Sequence, residues 1–254
     1  MNAALLDPPT APSCTPGGRS PFTEDWPPVS RRPSVAPFGG FTLDQITARL
    51  GPMPAWRVRS WPAPGTATFA DAVACAARGE LVELYDGILL EKTLGHWESV
   101  LGLRVGSRLR AVAEAKNAGV VAGADGQIEL PAEQQRLPDA AFTDWSKMPN
   151  GYDPTVTVPE LSPTIACEVI SASNTREEMD RKLREYFDAG AKLVWYVYPG
   201  PRTVRVHTSA TDFTTLSEDA GDTLNAGDVL PWFSLPLAEL FAVPRPPGAN
   251  GDAA

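Results

Sequence analysis

The sequence predicts an α/β domain with a mixed β-sheet flanked by helices, and three observations carry that prediction. Two apolar runs meet at Asp86-Gly87, two amphipathic segments repeat with helical period, and several short β-branched runs lie between and after them. Strands that alternate with helices in this way assemble as helices packed on a sheet.

In chain order, Thr68–Arg78 is read as a short helix: Thr68 is a suitable cap, Asp71 stands in the first turn, and Gly79 stops it. ELVELYDGILLEK follows as a hairpin, because Asp-Gly tolerates the positive φ that a two-residue turn needs. From Trp97 to about Asn117, the apolar residues Trp97, Leu101, Val105, Leu109 and Val112 recur every three or four positions, which makes one long helix ended by Gly119. GVVAG, QIEL, DAAF and TIACEVI are short runs bounded by Gly, Pro or Asn and read as strands. Asn174 or Thr175 opens a second amphipathic helix that runs to Gly190, followed by the strand KLVWYVY and, through Tyr198-Pro199-Gly200-Pro201, its partner RTVRVHT.

At 254 residues and 43% apolar composition the chain has enough material for a core without disulfide or metal staples. Residues 1–40 hold nine prolines and four glycines and are expected to be a disordered tail; 244–254 are alike, which leaves a folded region at 41–243. The net charge of −9 opposes a protein that coats nucleic acid non-specifically, while leaving room for a local site. Cys14, Cys75 and Cys167 form no CxxC pair, and His96 and His207 are far apart, so cysteine-rich and histidine-rich metal sites are excluded. The opening MNAALLDPPTAP lacks a basic start and a long apolar run, so a cytoplasmic protein, neither secreted nor membrane-spanning, is expected. Phosphate-loop, dinucleotide, nucleophile-elbow and HExxH motifs are missing. A hydrolytic centre in this chain therefore rests on carboxylates.

Asp139, after a proline at the head of an apolar strand, reads either as a turn cap or as a ligand for a hard cation. Glu168 lies inside TIACEVI, where an ionised side chain is costly unless paired, the alternative being an outward-facing edge position. Lys182 falls on the stripe of Met179, Leu183, Tyr186 and Phe187. It either snorkels to water or turns its ammonium toward Glu168 and Asp139. Under both readings Lys182→Met is expected to keep the melting temperature, with Arg181, turned to solvent, as the control. Arg176, Arg181 and Arg184 alternate with Glu177, Glu178, Asp180 and Glu185 and read as a solvated mixed-charge face rather than a nucleic-acid path, and Ser171, Ser173 and Asn174 read as helix caps, the alternative being that they position a phosphate.

The runs ELYDGILLEK, PDAAFTDW, EVISASNTREEMDRKLREYFDAGAKLVWYVYP and DVLPWFSLPLAELF, in that order and spacing, resemble the Uma2 family within the PD-(D/E)XK nuclease superfamily, over about Pro62 to Phe241. The resemblance implies a restriction-endonuclease-like core and a metal-dependent endonuclease that hydrolyses phosphodiester bonds in DNA. It puts the Pro-Asp motif on Pro138-Asp139 and the second acidic residue on Glu168. The superfamily's lysine two residues later is replaced by Ile170, and Lys182 on the following helix is the match. Glu98, at the start of the long helix, is expected to join Asp139 and Glu168 around Mg²⁺ or Mn²⁺. Glu83 stands in the family's Glu-Leu-x-Asp-Gly signature as a catalytic residue or as a structural partner of a backbone or basic group. A homodimer is the expectation by analogy, and a catalytically silent DNA-binding or protein-interaction module is the alternative.

Overall fold

The computed structural model describes residues 40–93 and 95–245. The proline-rich segments expected at 1–40 and 244–254 lie outside those residues, apart from Gly40, Pro244 and Arg245.

Helix α1 (Leu43–Leu50) comes first, and α2 (Phe69–Ala77) starts at Thr68, whose hydroxyl accepts the Asp71 N–H while the Asp71 carboxylate returns the bond. The hairpin β1 (Val82–Tyr85) and β2 (Ile88–Glu91) turns at Asp86 and Gly87 with φ of 46° and 77°, the left-handed pair that Asp-Gly supplies. It is completed by β4 (Ile128–Leu130) and β5 (Gln134–Arg136) into an antiparallel sheet of order β2-β1-β5-β4. Along β1 the period of two sorts the side chains: Val82 and Leu84 pack on Ala72 and Cys75 of α2, while Glu83 and Tyr85 alternate with them on the opposite side.

The main sheet has six strands in the order β10-β9-β8-β7-β6-β3. These are β3 (Gly119–Gly123), β6 (Ala140–Asp144), β7 (Ile165–Val169), β8 (Leu193–Tyr198), β9 (Thr203–His207) and β10 (Phe213–Ser217). Only β7 and β8 run parallel, joined by α4 (Arg176–Asp188), the crossover that a parallel pair requires. Ile165, Cys167 and Val169 face α3 (His96–Lys116) and pack against its Leu101, Val105 and Leu109. The alternate residue Ala166, with Val194 and Tyr196 of β8, meets Met179, Leu183 and Tyr186 of α4. A second small sheet, β11 (Thr223–Asn225) with β12 (Ser234–Pro236), and the short helix α5 (Leu237–Leu240) close the α3 side.

The expected hairpin, both long helices and the strands from GVVAG through RTVRVHT are all present. Expectation and structure part at α4. Thr175 is the cap, paired reciprocally with Glu178, whereas Asn174 Oδ1 accepts the N–H and hydroxyl of Ser171. The face read as solvated is partly buried: Glu178 is fully covered, and Arg181 lies at 17% exposure between Asp86 and Glu185. Arg181 is therefore not a solvent-facing control for Lys182, because the hairpin tip docks on that side of the helix.

Candidate active site

Asp139 and Glu168 are brought together by strand register. Ala140 pairs with Cys167 as the last pair of the β6–β7 ladder, so Asp139, just before β6, and Glu168, just after Cys167, stand together at the end of that ladder and line one cavity. The Asp139 N–H donates to Cys167 O at 2.9 Å, and Asp139 Oδ2 accepts the Val169 N–H at 2.6 Å. Gly102 of α3 permits this placement, since a Cβ there would stand 3.2 Å from Asp139 Cβ.

Glu168 Oε1 accepts hydrogen bonds from the Tyr186 hydroxyl at 2.7 Å and from Lys182 Nζ at 3.2 Å. Lys182 Nζ lies 2.9 Å from Glu83 Oε1, and that oxygen also accepts the Leu137 N–H, while Glu83 Oε2 accepts from the Tyr85 hydroxyl. Lys182 and Tyr186, four residues apart on α4, thus converge on one carboxylate. The ammonium does not snorkel: Lys182 is 3% exposed. A second buried ammonium completes the cluster. Lys92, just beyond β2, donates to Leu137 O and stands 2.9 Å from Asp139 Oδ1. It lies off the direction of a hydrogen bond, and that oxygen accepts none from the protein.

Three carboxylates and two ammoniums packed without bulk water set the protonation of the site. Burial pushes Glu168 up, and although Lys182 opposes this, Asp139 and Glu83 add to it, so its carboxyl reaches about 7. Burial acts on Glu83 in the same direction, but Lys182, Arg136 and Lys92 overcome it and hold that carboxyl down at about 2. Burial would strip the proton from Lys182, yet Glu168, Glu83 and Glu178 raise its pKa instead, so it remains a cation.

The surrounding ion pairs hold these groups in place. Arg57 binds Glu178 through both terminal nitrogens, at 2.8 and 2.9 Å, and reaches Ser173 O and Glu91 O, tying the start of α4 to the hairpin. Arg136, fully buried, grips Glu185 and Leu84 O with its guanidinium 3.6 Å above the Tyr85 ring.

The carboxylates and ammoniums enclose a cavity of about 20 Å³ lined by Arg57, Glu83, Lys92, Asp139, Glu168 and Lys182. That is room for one water molecule or one small ion. Asp139 also borders an open groove of about 510 Å³ between α3, at Ser99, Gly102 and Gly106, and the end of β3. Of the residues expected at the site, Asp139, Glu168, Lys182 and Glu83 meet here. Glu98 does not line the cavity; its carboxylate folds back over Gly95 at the start of α3, where the positive end of the helix favours it. Lys92, Arg57 and Tyr186 were not singled out from the sequence, because their partners lie 47, 121 and 18 residues away and leave no local pattern.

The family model described as "Putative restriction endonuclease", Uma2, matches residues 69–238, about two thirds of the chain. The chain belongs to the Uma2 family. No curated protein matches it. A crystal structure of "a putative nuclease belonging to DUF820" from Anabaena variabilis is similar to this Uma2 protein with a TM-score of 0.55 and 15% identity, over 63% of this chain and 89% of that one. At that identity the likeness establishes a shared fold, the restriction-endonuclease-like arrangement of a mixed sheet between helices. The matched stretch contains every cavity residue except Arg57.

Among the described residues no three His, Cys, Asp or Glu side chains converge as a ready-made metal cage. The donors are two hard carboxylates, one with an oxygen that is buried and free of hydrogen bonds. This set fits Mg²⁺ or Mn²⁺, which bind through one or two carboxylates and fill the remaining positions with water and substrate phosphate.

Proposed function

We propose that this chain is a metal-dependent DNA endonuclease hydrolysing phosphodiester bonds, with Asp139 and Glu168 as the residues that hold Mg²⁺ or Mn²⁺. The observation that carries the proposal is the convergence of these two carboxylates on one cavity of ionic size, with Asp139 Oδ1, beside Lys92, left without a hydrogen bond. A divalent cation supplies Lewis acidity toward phosphate and lowers the pKa of a bound water. The chain's own residues do the rest. Tyr186 and Lys182 hold Glu168 Oε1, which fixes the direction of the carboxylate. Lys182 keeps its proton and places a permanent positive charge beside the position where negative charge develops on phosphate. Glu83 keeps Lys182 in place, and Val169 N–H orients Asp139. The groove along α3 gives Asp139 a route to solvent and substrate.

The test is incubation of supercoiled, linear and single-stranded DNA with Mg²⁺ or Mn²⁺, alongside a chelated control. Cleavage is expected with metal alone and is expected to fall by a factor on the order of 10² or more in Asp139→Asn and Glu168→Gln. Cleavage that persists in chelator, or that survives both substitutions, overturns this assignment. A wild-type protein that binds Mn²⁺ but cleaves none of the DNAs is instead the catalytically silent module.

A further inference from the structure

Beside the carboxylate cavity lies a larger pocket that the reaction as described does not use. It has a volume of about 580 Å³ and is formed between the first turns of α4, strands β8 and β9, and the loop before β10. Such a volume is typical of a small-molecule site. Its walls are aromatic and cationic. Tyr198 is half-buried and Phe213 is 48% exposed, and the Arg205 guanidinium stands 5.1 Å from the first ring and 4.9 Å from the second. Arg205 makes no ion pair among the described residues. His207 forms part of the wall with both ring nitrogens buried and unpartnered, between Tyr196 and Phe213 at 5.0 Å each. Burial holds that imidazole neutral, down at about 4.

The pocket adjoins the reaction centre. Asn174 lines both cavities, and Ile170, two residues past Glu168, lines this one. The Asn174 carbonyl is committed to Ser171, which fixes the amide, while its Nδ2 donors have no partner among the described residues. A donor at the junction of a carboxylate site and an aromatic pocket is placed to hold the phosphate that links a reacting nucleotide to its neighbour.

We propose that this pocket is a nucleotide subsite that takes an unpaired base, flanking the scissile phosphate, by stacking on Phe213, Tyr198 and Arg205. The inference rests on the nuclease reading and deepens it, by naming single-stranded or locally unpaired nucleic acid as the preferred substrate form. Aromatic and guanidinium planes accept any base face, whereas a base inside a duplex has both faces covered. The charge agrees: in a chain of net charge −9 the pocket wall holds two arginines against Asp180 alone.

Fluorescence anisotropy of a labelled 12-nucleotide single strand and of its duplex, measured on the full chain in chelator, separates binding from cleavage. Single strand is expected to bind more tightly than duplex. Phe213→Ala and Arg205→Ala, both substitutions of exposed side chains, are expected to weaken single-strand binding by on the order of 5- to 100-fold. Trp61→Ala, at an exposed aromatic outside the pocket, is expected to leave it unchanged. A mononucleotide that competes at the same site identifies the base and its phosphate as the recognised unit; competition only by longer strands assigns recognition to the strand backbone and overturns the subsite. Equal binding by wild type, Phe213→Ala and Arg205→Ala, or no single-strand binding at all, also overturns it. If the variants lose binding while wild type cleaves nothing with metal, the subsite stands and the nuclease reading fails; if wild type cleaves and the variants bind normally, the reverse holds.

Discussion

Lys182→Met tests the construction of the site most directly, because the structure and the sequence pattern expect different outcomes. Methionine matches the stem of lysine in length, so the volume filled at this buried position is preserved and the charge alone is removed. The ammonium lies 2.9 Å from Glu83 and 3.2 Å from Glu168, with all three side chains at most 6% exposed. Removing one partner from a buried ion pair costs about 3–5 kcal/mol, since the remaining charge stays out of water. For a folded body of about 200 residues each kcal/mol moves the melting temperature by about 2–4 °C, so a loss of about 6–20 °C is expected in metal-free protein. Differential scanning calorimetry in chelator at pH 7.5 reads this directly. The double variant Lys182→Met/Glu83→Gln is expected to recover part of the loss, because it removes the carboxylate left unpaired. A single variant that melts within 2 °C of wild type would refute the buried triad and restore the snorkelling lysine. Arg181 is unsuitable as a control, since its own pairs to Asp86 and Glu185 tie α4 to the hairpin.

Two further outcomes follow from the same cluster. Glu168 is raised from 4.5 to about 7, so between those values the folded protein holds a proton that the unfolded chain lacks, and stability falls as pH rises through that window. Glu83, lowered to about 2, has the opposite sign: its contribution is present above 4.5 and is lost as pH falls toward 2. Urea midpoints of metal-free wild type and Glu168→Gln at pH 5 and pH 8 isolate the first effect, and a difference between the two proteins that does not change with pH contradicts it. Lys92→Met removes the cation beside Asp139 Oδ1, so Mn²⁺ affinity, followed by the resonance of free Mn²⁺, is expected to rise at least tenfold while the metal-free protein loses stability. Unchanged or weaker Mn²⁺ binding places the ion elsewhere.

What the sequence revealed depended on whether a residue's partner was local. The Asp86-Gly87 turn, the Thr68 cap and the stripe of α3 are set by neighbours within one or two turns, and all are found where expected. Strand β5 leaves no signal in the sequence, because Gln134–Arg136 are all polar and Gln135 and Arg136 are buried only through partners elsewhere: Gln135 bonds Val82 O and Gln127, and Arg136 bonds Leu84 O and Glu185. Strand β10 is silent for the opposite reason, since Phe213, Thr214 and Thr215 at the sheet edge are exposed and leave no alternation to read. Glu98, expected at the site from the resemblance alone, lies in the first turn of α3 with its carboxylate over Gly95 and does not line the cavity.

Lys182 was legible because a lysine on an apolar stripe violates the helical pattern, and the structure supplies the reason for the violation. The position two residues past Glu168, on the same face of the sheet, is held by Ile170, which packs in the cluster of Met179 and Tyr196. A cation at Glu168 must then come from the element covering that face, and α4 is that element. Lys182 and Tyr186, one turn apart, both fall over the carboxylate. Their height above the sheet is fixed by contacts that carry no chemistry of their own: Tyr196 donates to Met179 O at 2.6 Å, and the Thr175–Glu178 cap is locked to the hairpin by Arg57. A lysine on the strand would be positioned by the sheet itself. A lysine on the helix makes the charge beside Glu168 depend on helix docking, which is why one buried arginine, with two nitrogens on Glu178, belongs to the architecture of the cluster.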